Sequence, residues 1–358
     1  MNALELRDKA NELLLISNNA KQQLQEIKTI ETGVDYLNKV KAIETWAKAE
    51  KKDAELQNII AEQKLRTQRI LGGLIKSESK IGRPIKGSQE KPFLQSVGVS
   101  KKESHTFQKI ASLPEETFER EIETAKAETN KRIELTTSRM LKVAKEYEKS
   151  QNLDNLAEIG KDKIVDIDFR FGDFEEVFED IEDGSIDCII TDPPYPYEFI
   201  DCWSKLSRFA KRVLKPNGYC IAYSGQMNLP EVINRMNENL DYYWTFCLHH
   251  IGKTQIVNGV NIICRWKPIL IFQNGRKKNK ITMQDYVISK LREKNEHDWQ
   301  QNIDACSHLT NLFTKSGDKI IDPFAGSGTF LKSFKDNHRI SIGSEINEKT
   351  FNIAKTKL

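Results

Sequence analysis

The chain has 358 residues, of which 38% are hydrophobic and 30% charged, and a formal net charge of +3. That length leaves room for two domains, or for one large domain with an extension, and the charge-rich composition fits a polar helical region beside an ordinary globular core. A balance so near neutral excludes nucleic-acid binding by overall excess of charge, and no segment approaches the roughly 20 apolar residues of a membrane helix.

In chain order, residues 1 to about 75 read as helix. Proline is absent from Val34 to Ile75, and apolar residues recur at helical steps: Val40, Ile43, Trp46 and Ala47, then Leu56, Ile59, Ile60 and Leu65. Gly72-Gly73 is expected to bend or end this helix. Such a hairpin can pack on itself, pair with a second copy to give a homodimer, or contact DNA. The segment KSESKIGRPIKGSQEKP (76–92) is a break with Lys76, Lys80, Arg83, Lys86 and Lys91 among Gly, Pro and Ser. It suits either a solvated linker or a flexible arm on phosphates. Next, Gly98 allows a sharp turn and Ser100 can cap a helix over Lys101–Ala111. Phe107 and Ile110 would face inward there, and Lys101, Lys102, Ser104, His105 and Gln108 outward, as in a helix-turn-helix. A further helical stretch, Glu115 to about Ser150, is rich in Glu and Lys and is expected to be exposed. Residues 1–150 are thus read as a helical DNA-binding or dimerisation module.

From about Ile164 strands alternate with helices, the pattern of an α/β domain with a largely parallel sheet. Strand-like runs are Ile167–Phe171, Ile186–Thr191, Gly218–Ser224, Trp244–Ile251, Ile262–Phe272, Lys319–Ile321 and Ile340–Gly343. Helices are expected over Trp203–Val213 and Leu229–Asn239. The six cysteines are scattered, mostly in apolar runs and without a CxxC pair, which reads as buried thiols in a reducing compartment rather than a disulfide framework or a zinc site. With no basic stretch and apolar run at the amino terminus, the expectation is a soluble, cytoplasmic protein.

Two motifs carry chemistry. In the second half, Ile320-Ile321 leads into Asp322-Pro323-Phe324-Ala325-Gly326-Ser327-Gly328-Thr329. This is a strand, a tight glycine turn and a helix start, where backbone can approach a ligand closely and the helix end favours negative charge. It is not a dinucleotide GxGxxG. The next strand ends before Glu345, placed to bond ribose hydroxyls. Loop plus Glu345 imply an adenosine-containing cofactor without a pyrophosphate, and S-adenosyl-L-methionine fits. Earlier, Phe169–Phe171 leads to Gly172-Asp173, and Ser185–Ile190 runs into Thr191-Asp192-Pro193-Pro194-Tyr195. Paired prolines fix the backbone at a strand's carboxyl end. Asp192 and the Pro193 carbonyl can accept the two amino hydrogens of adenine N6, and Tyr195 offers a stacking face. A structural Pro-Pro loop is the plainer alternative. The adjacent His249-His250 point to opposite strand faces, which argues against a shared metal, and no metal is expected.

From Phe169 to Leu358 the chain resembles the permuted (beta-class) DNA methyltransferases that act on N6 of adenine or N4 of cytosine. The shared segments are GDF, SIDCIITDPPY, RVLKPNGY (212–219), WKPILIF (266–272), DPFAGSGT and RISIGSEIN (339–347). The resemblance implies a seven-stranded, Rossmann-like methyltransferase sheet over residues 160–358, with catalytic Asp192, Pro193, Pro194 and Tyr195. It also implies a cofactor site of Asp173, Asp322, Phe324, Gly326, Gly328, Thr329 and Glu345. Asp rather than Ser at the first catalytic position resembles the adenine-N6 members. The family's His-Pro-Thr-x-Lys-Pro-like segment is matched only in part by His297–Asn302. The N-terminal part is loosely similar to helical regions ahead of methyltransferase domains in some phage and mobile-element proteins.

The expected partner is therefore double-stranded DNA, with single-stranded DNA or RNA as alternatives, and cytosine N4 as the alternative target. A non-catalytic DNA-binding regulator on the same scaffold is a third reading. The stretches Gly252–Asn261 and Gly275–Glu296, with His249, His250, Lys253, Arg265, Lys267, Arg276, Lys277, Lys278 and Lys280, form a basic area too small for a separate recognition domain. The N-terminal helices are accordingly expected to supply much of the DNA grip.

Overall fold

The computed structural model describes residues 22–49, 54–78, 93–127, 135–250, 255–257, 260–276, 282–289 and 303–358. The chain divides into two compact units, Met1–Asn152 and Leu153–Leu358.

The first unit is helical: α1 (Ile30–Ala49), α2 (Ala54–Glu78), α3 (Phe93–Ser96), α4 (Lys101–Ala111), α5 (Glu115–Ala127) and α6 (Thr137–Lys161), whose last turns count with the second unit. Gly98 adopts the expected positive φ of 81°, and Ser100 caps α4 in a reciprocal capping box with Glu103. Three expectations change. Gly72 does not end its helix, because α2 runs on to Glu78. A Cβ at Gly72 would stand 2.0 Å from the Phe107 carbonyl oxygen, so the glycine serves the close approach of α4. Ser104 is buried rather than outward, and Gln108 Nε2 donates to its hydroxyl at 3.0 Å. The Glu- and Lys-rich stretch is two helices, and it is not an exposed one. Phe118, Ile122 and Ala125 of α5 and Met140 and Ala144 of α6 share a core with Leu65, Ile110 and Leu113. Their i, i+4 spacing turns one narrow apolar stripe inward on each helix while the charges face water. The basic arm at Lys80, Arg83, Lys86 and Lys91 lies outside the described residues, as do Lys253, Lys277, Lys278, Lys280 and His297–Asn302.

The second unit contains β1 (Asp168–Phe171), α7 (Phe174–Val177), β2 (Ile186–Thr191), α8 (Asp201–Val213), β3 (Leu214–Tyr223), α9 (Leu229–Met236) and β4 (Asp241–His250). It continues through β5 (Gln255–Val257), β6 (Ile262–Cys264), β7 (Trp266–Gln273), β8 (Tyr286–Ser289), α10 (Ile303–Phe313), β9 (Lys319–Asp322), α11 (Thr329–Asp336), β10 (Ile340–Glu345) and α12 (Glu348–Lys355). The main sheet has the order β1-β10-β9-β2-β3-β7-β4-β8. Neighbours from β1 to β3 are parallel, β7 runs antiparallel to β3 and β4, and β8 pairs parallel with β4. The seven expected strands are therefore present and β8 adds an eighth at the edge. The run read as one strand over Ile262–Phe272 divides at Arg265. Its first part, β6, pairs with β5 in a separate antiparallel ribbon, and only β7 joins the main sheet.

The central strands are apolar without alternation because both faces are covered. Ile189, Cys220, Ala222 and Ile321 face one core with Trp203, Leu206, Phe209 and Val213 of α8. Cys188, Ile190, Ile221 and Ile320 face the other with Leu309 of α10 and Phe330, Leu331 and Phe334 of α11. Each such fully buried large side chain contributes roughly 1.5–3 kcal/mol. From β2 the chain crosses to β3 on one side, and from β9 it crosses to β10 on the other. The carboxyl ends of β2 and β9 thus flank the point where the winding reverses, which is where open α/β sheets leave a crevice for ligands.

Candidate active site

Both motifs lie at that crevice. β2 ends at Thr191 and passes directly into Asp192, while β9 ends at Asp322. Thr191 Oγ1 donates to Asp322 Oδ1 at 2.6 Å, and the Phe324 amide donates to the same oxygen at 3.1 Å. The Asp192–Tyr195 turn and the glycine loop are thereby joined by one buried hydrogen bond across adjacent strands.

Asp322 is 1% exposed, and burial pushes its carboxyl up to about 7. The folded state therefore holds a proton that the unfolded chain releases at the ordinary carboxyl value of 3.8. Stability from this group is full at low pH, falls as pH rises through the interval from the unfolded to the folded value, and levels off above about 7. Asp322→Asn keeps the acceptor oxygen and removes the charge. The mutant should gain stability relative to wild type by roughly 2–4 kcal/mol between pH 4.5 and pH 8. Urea unfolding at both pH values checks this, and a difference that stays flat with pH would count against it.

The glycine loop turns on two residues in the left-handed region, Gly326 (φ 52°) and Gly328 (φ 77°). Gly328 stands at the N-terminus of α11, ahead of Thr329, whose hydroxyl is 3.2 Å from that of Ser327. The Ala325 amide donates to the Ser344 carbonyl at 2.9 Å, laying the loop against the end of β10. Glu345, the last residue of β10, accepts from the Gly326 amide through Oε2 at 2.9 Å and from the Asn347 amide through Oε1 at 2.7 Å. Burial raises its carboxyl above the ordinary range. The Gly172 amide donates to the Glu345 carbonyl at 3.0 Å, so the end of β1 is adjacent too. Asp173 follows, but it does not bond the loop in this arrangement. Its Oδ1 caps α7 through the Glu175 amide at 3.0 Å, and its Oδ2 lies 3.3 Å from Lys205 Nζ. The next residue, Phe174, meets Phe324 edge-on with ring centres 5.1 Å apart.

On the other side, Pro193 is buried and Tyr195 is held at several points. Its hydroxyl donates to Asp192 Oδ1 and accepts from Lys267 Nζ at 2.6 Å. Asn228 Nδ2 donates to its carbonyl at 3.2 Å, and Gly225 lies so close that a Cβ there would be 3.4 Å from the Tyr195 Cβ. Burial first, and the Asp192 carboxylate second, raise the Tyr195 hydroxyl far above the usual phenol range, so it stays a donor. Lys267 Nζ is 4.7 Å from the Tyr195 ring centre, 5.7 Å from that of Tyr223 and 3.9 Å from Asp192 Oδ1.

The expected residues therefore gather as two groups linked by Thr191–Asp322: Asp192 to Tyr195, and Asp322 to Thr329 with Glu345. Lys267 is corrected from a member of a basic DNA-facing area to a partner of Tyr195 with a side chain 19% exposed. Asn228 and Gly225 were not singled out. The signal for Lys267 was its place in WKP at the start of β7, the strand next to β3. His249 stacks on Tyr286 with centres 5.9 Å apart.

Residues 186–356 match the model of the N6/N4 family described as DNA methylase. Type II methyltransferase M.HpaI of Haemophilus parainfluenzae is 25% identical over 228 residues, 51% of this chain and 71% of that protein. Type II methyltransferase M.HindIII of Haemophilus influenzae is 39% identical over 66 residues, 18% of this chain and 21% of that one. Among solved structures, the M1.HpyAVI–SAM complex aligns with a TM-score of 0.45 and 22% identity over 54% of this chain and all (100%) of that one. The cytosine-N4-specific PvuII DNA methyltransferase aligns with a TM-score of 0.44 and 17% identity over 51% of this chain and 85% of that one. The stretch that is similar to the N6/N4 DNA methylases, residues 186–356, is a little under half of the chain and contains the Asp192–Tyr195 turn, the glycine loop and Glu345.

Proposed function

We propose that the chain transfers a methyl group from S-adenosyl-L-methionine to N6 of adenine in double-stranded DNA. The observation that carries this reading is the 2.6 Å bond from Thr191 to Asp322, which holds an amine-accepting turn against a nucleotide-type loop. The cofactor's fit is supported by the loop itself. A Cβ at Gly326 would meet only the Phe324 carbonyl oxygen, at 3.9 Å, so that face is open to a close ligand. Both Glu345 oxygens are oriented by backbone amides and keep lone pairs for ribose hydroxyls. Phe324, Gly326, Gly328, Thr329, Asp322 and Glu345 would hold the cofactor, with Asp173 beside its adenine. When bound, it supplies an electrophilic sulfonium methyl.

The chain's own residues then do the rest. A base reaches the pocket only when flipped from the duplex. Asp192 and the Pro193 carbonyl accept its amino hydrogens, which draws the nitrogen lone pair out of conjugation and aims it in line with the methyl. Asp192 also faces the positive charge that develops on that nitrogen, and the rigid prolines keep this acceptor geometry without reorganisation. Tyr195 stacks on the base. Asp at position 192 resembles the adenine-N6 members of the family. Cytosine N4 offers the same amino group beside a ring nitrogen, so it is the reading to be tested against.

The test is tritium transfer from labelled S-adenosylmethionine to unmethylated plasmid DNA, followed by nucleoside digestion and mass spectrometry. N6-methyladenine is the expected product. N4-methylcytosine would move the target base, transfer to RNA alone would move the substrate, and failure to bind the cofactor would favour a DNA-binding regulator. We assign the DNA grip in large part to the N-terminal unit, where Lys101, Lys102 and His105 are exposed on α4. Deleting residues 1–150 should weaken DNA binding by roughly 10-fold or more, with a lower salt dependence, and change cofactor affinity by less than about 2-fold. A truncated chain that binds and methylates DNA as well as the full one would refute this.

A further inference from the structure

We propose that Lys267 recognises the ring nitrogen next to the target amino group, so that Asp192 and Lys267 together admit only bases with an amino donor beside an imine acceptor. The inference rests on the methyltransferase reading and adds the residue that selects the base. Its basis is the way the Tyr195 hydroxyl is held. That single group donates to Asp192 and accepts from Lys267 Nζ at 2.6 Å. The pocket wall thus presents an acceptor, Asp192 Oδ1, and a donor, Lys267 Nζ, 3.9 Å apart, a spacing that neighbouring atoms on one edge of a planar ring can bridge.

The polarity matches two bases and opposes two. Adenine presents its N6 amino donor next to the N1 acceptor, and cytosine presents N4 next to N3. Guanine and thymine present the reverse, a carbonyl next to an N–H, and would face Asp192 with an acceptor and Lys267 with a donor. A pocket built to bond a given polarity rejects its inverse strongly, because the buried groups are left unpaired. Lys267 is suited to this work by its surroundings. Its ammonium lies 4.7 Å and 5.7 Å from the ring centres of Tyr195 and Tyr223 and its side chain is 19% exposed, so its position is fixed and partly desolvated. The Tyr195 hydroxyl holds the same bonds that the base edge makes, and base entry exchanges one set for the other.

The test uses the full-length protein and a synthetic duplex carrying the target base mapped from methylated plasmid DNA. The duplex is made with that base intact, or with its ring nitrogen replaced by C–H: 1-deazaadenine, or 3-deazacytosine if cytosine is the target. Wild type should lose roughly 30-fold in kcat/KM on the deaza duplex. The weaker pairing of that base eases flipping, so it works against a loss and cannot produce one. Lys267→Met should lose a similar factor on the intact duplex, and the further loss on the deaza duplex should shrink to within about 3-fold. Its S-adenosylmethionine affinity should match wild type, which reports a folded pocket. Wild type that methylates both duplexes equally overturns the assignment whatever the variant does. So do multiplicative losses in variant and substrate. Wild type that transfers no methyl to any DNA overturns the functional reading and this role with it.

Discussion

Replacing Asp192 by alanine should abolish methyl transfer, by about 1,000-fold or more in single-turnover rate. The side chain does two things at once in the arrangement described above. It accepts an amino hydrogen, which prepares the nitrogen lone pair, and it opposes the charge that grows on that nitrogen as the bond to carbon forms. Alanine removes both and leaves the Lys267 ammonium, 3.9 Å from the lost oxygen, facing a nitrogen that is becoming positive. Asparagine keeps an acceptor without the charge and should fall between, at roughly 10–100-fold. Cofactor affinity should move by less than about 3-fold in either variant, since the glycine loop and Glu345 are organised by bonds to Asp322, Ser344 and Asn347 rather than to Asp192. Rapid quench with tritiated S-adenosylmethionine, alongside a cofactor titration, measures both. Robust turnover by the alanine variant would remove Asp192 from the chemistry.

What the chain discloses before folding, and what it hides, differ for physical reasons. The shapes of the Pro-Pro turn and of the glycine loop were legible because they are local. Two prolines, or two glycines in the left-handed region, specify backbone shape within a few residues, and apolar runs on either side announce buried parallel strands. The elements that were misread depend on partners distant in sequence. Gly72 reads as a helix breaker until the Phe107 carbonyl is seen against it. The helices from Glu115 onward read as exposed because charge dominates their composition, while Phe118, Ile122, Met140 and Ala144 supply the stripe that matters. β8 has four residues, too few to carry a period. Lys267 is the instructive case. A lysine among other basic residues near a strand start carries no sign of which way it will face. Only the antiparallel pairing of β7 with β3, which sets Ile269 opposite Tyr223, brings it to Tyr195. A loop built on one turn is thus easier to read than an arrangement assembled from β2, β3 and β7.

Glu345→Gln should have the opposite signature to Asp192→Ala: cofactor affinity weakened by roughly 100-fold, with little loss in the rate of transfer once the donor is saturating. The carboxylate takes two backbone amides, one on each oxygen, and retains acceptor capacity on both for ribose hydroxyls. Glutamine must turn its NH2 toward either the Gly326 or the Asn347 amide. That sets donor against donor at a partly buried position, and it halves the acceptors left for the cofactor. If the NH2 faces Gly326, the loop loses its tie to β10 on the side where the ligand approaches. If it faces Asn347, whose side chain caps α12 through the Thr350 amide at 2.9 Å, the start of that helix is disturbed instead. Because burial already raises the Glu345 carboxyl, acidification should mimic the substitution, and cofactor affinity in the wild type should decline at a higher pH than an exposed carboxylate would give. Calorimetric titration of S-adenosylmethionine from pH 5 to pH 8 tests both statements. A Gln variant that binds normally at pH 8 would place the ribose elsewhere. A variant that binds normally but no longer transfers would point to Glu345 acting through the loop on the position of Asp322 and, across the Thr191 bond, on Asp192.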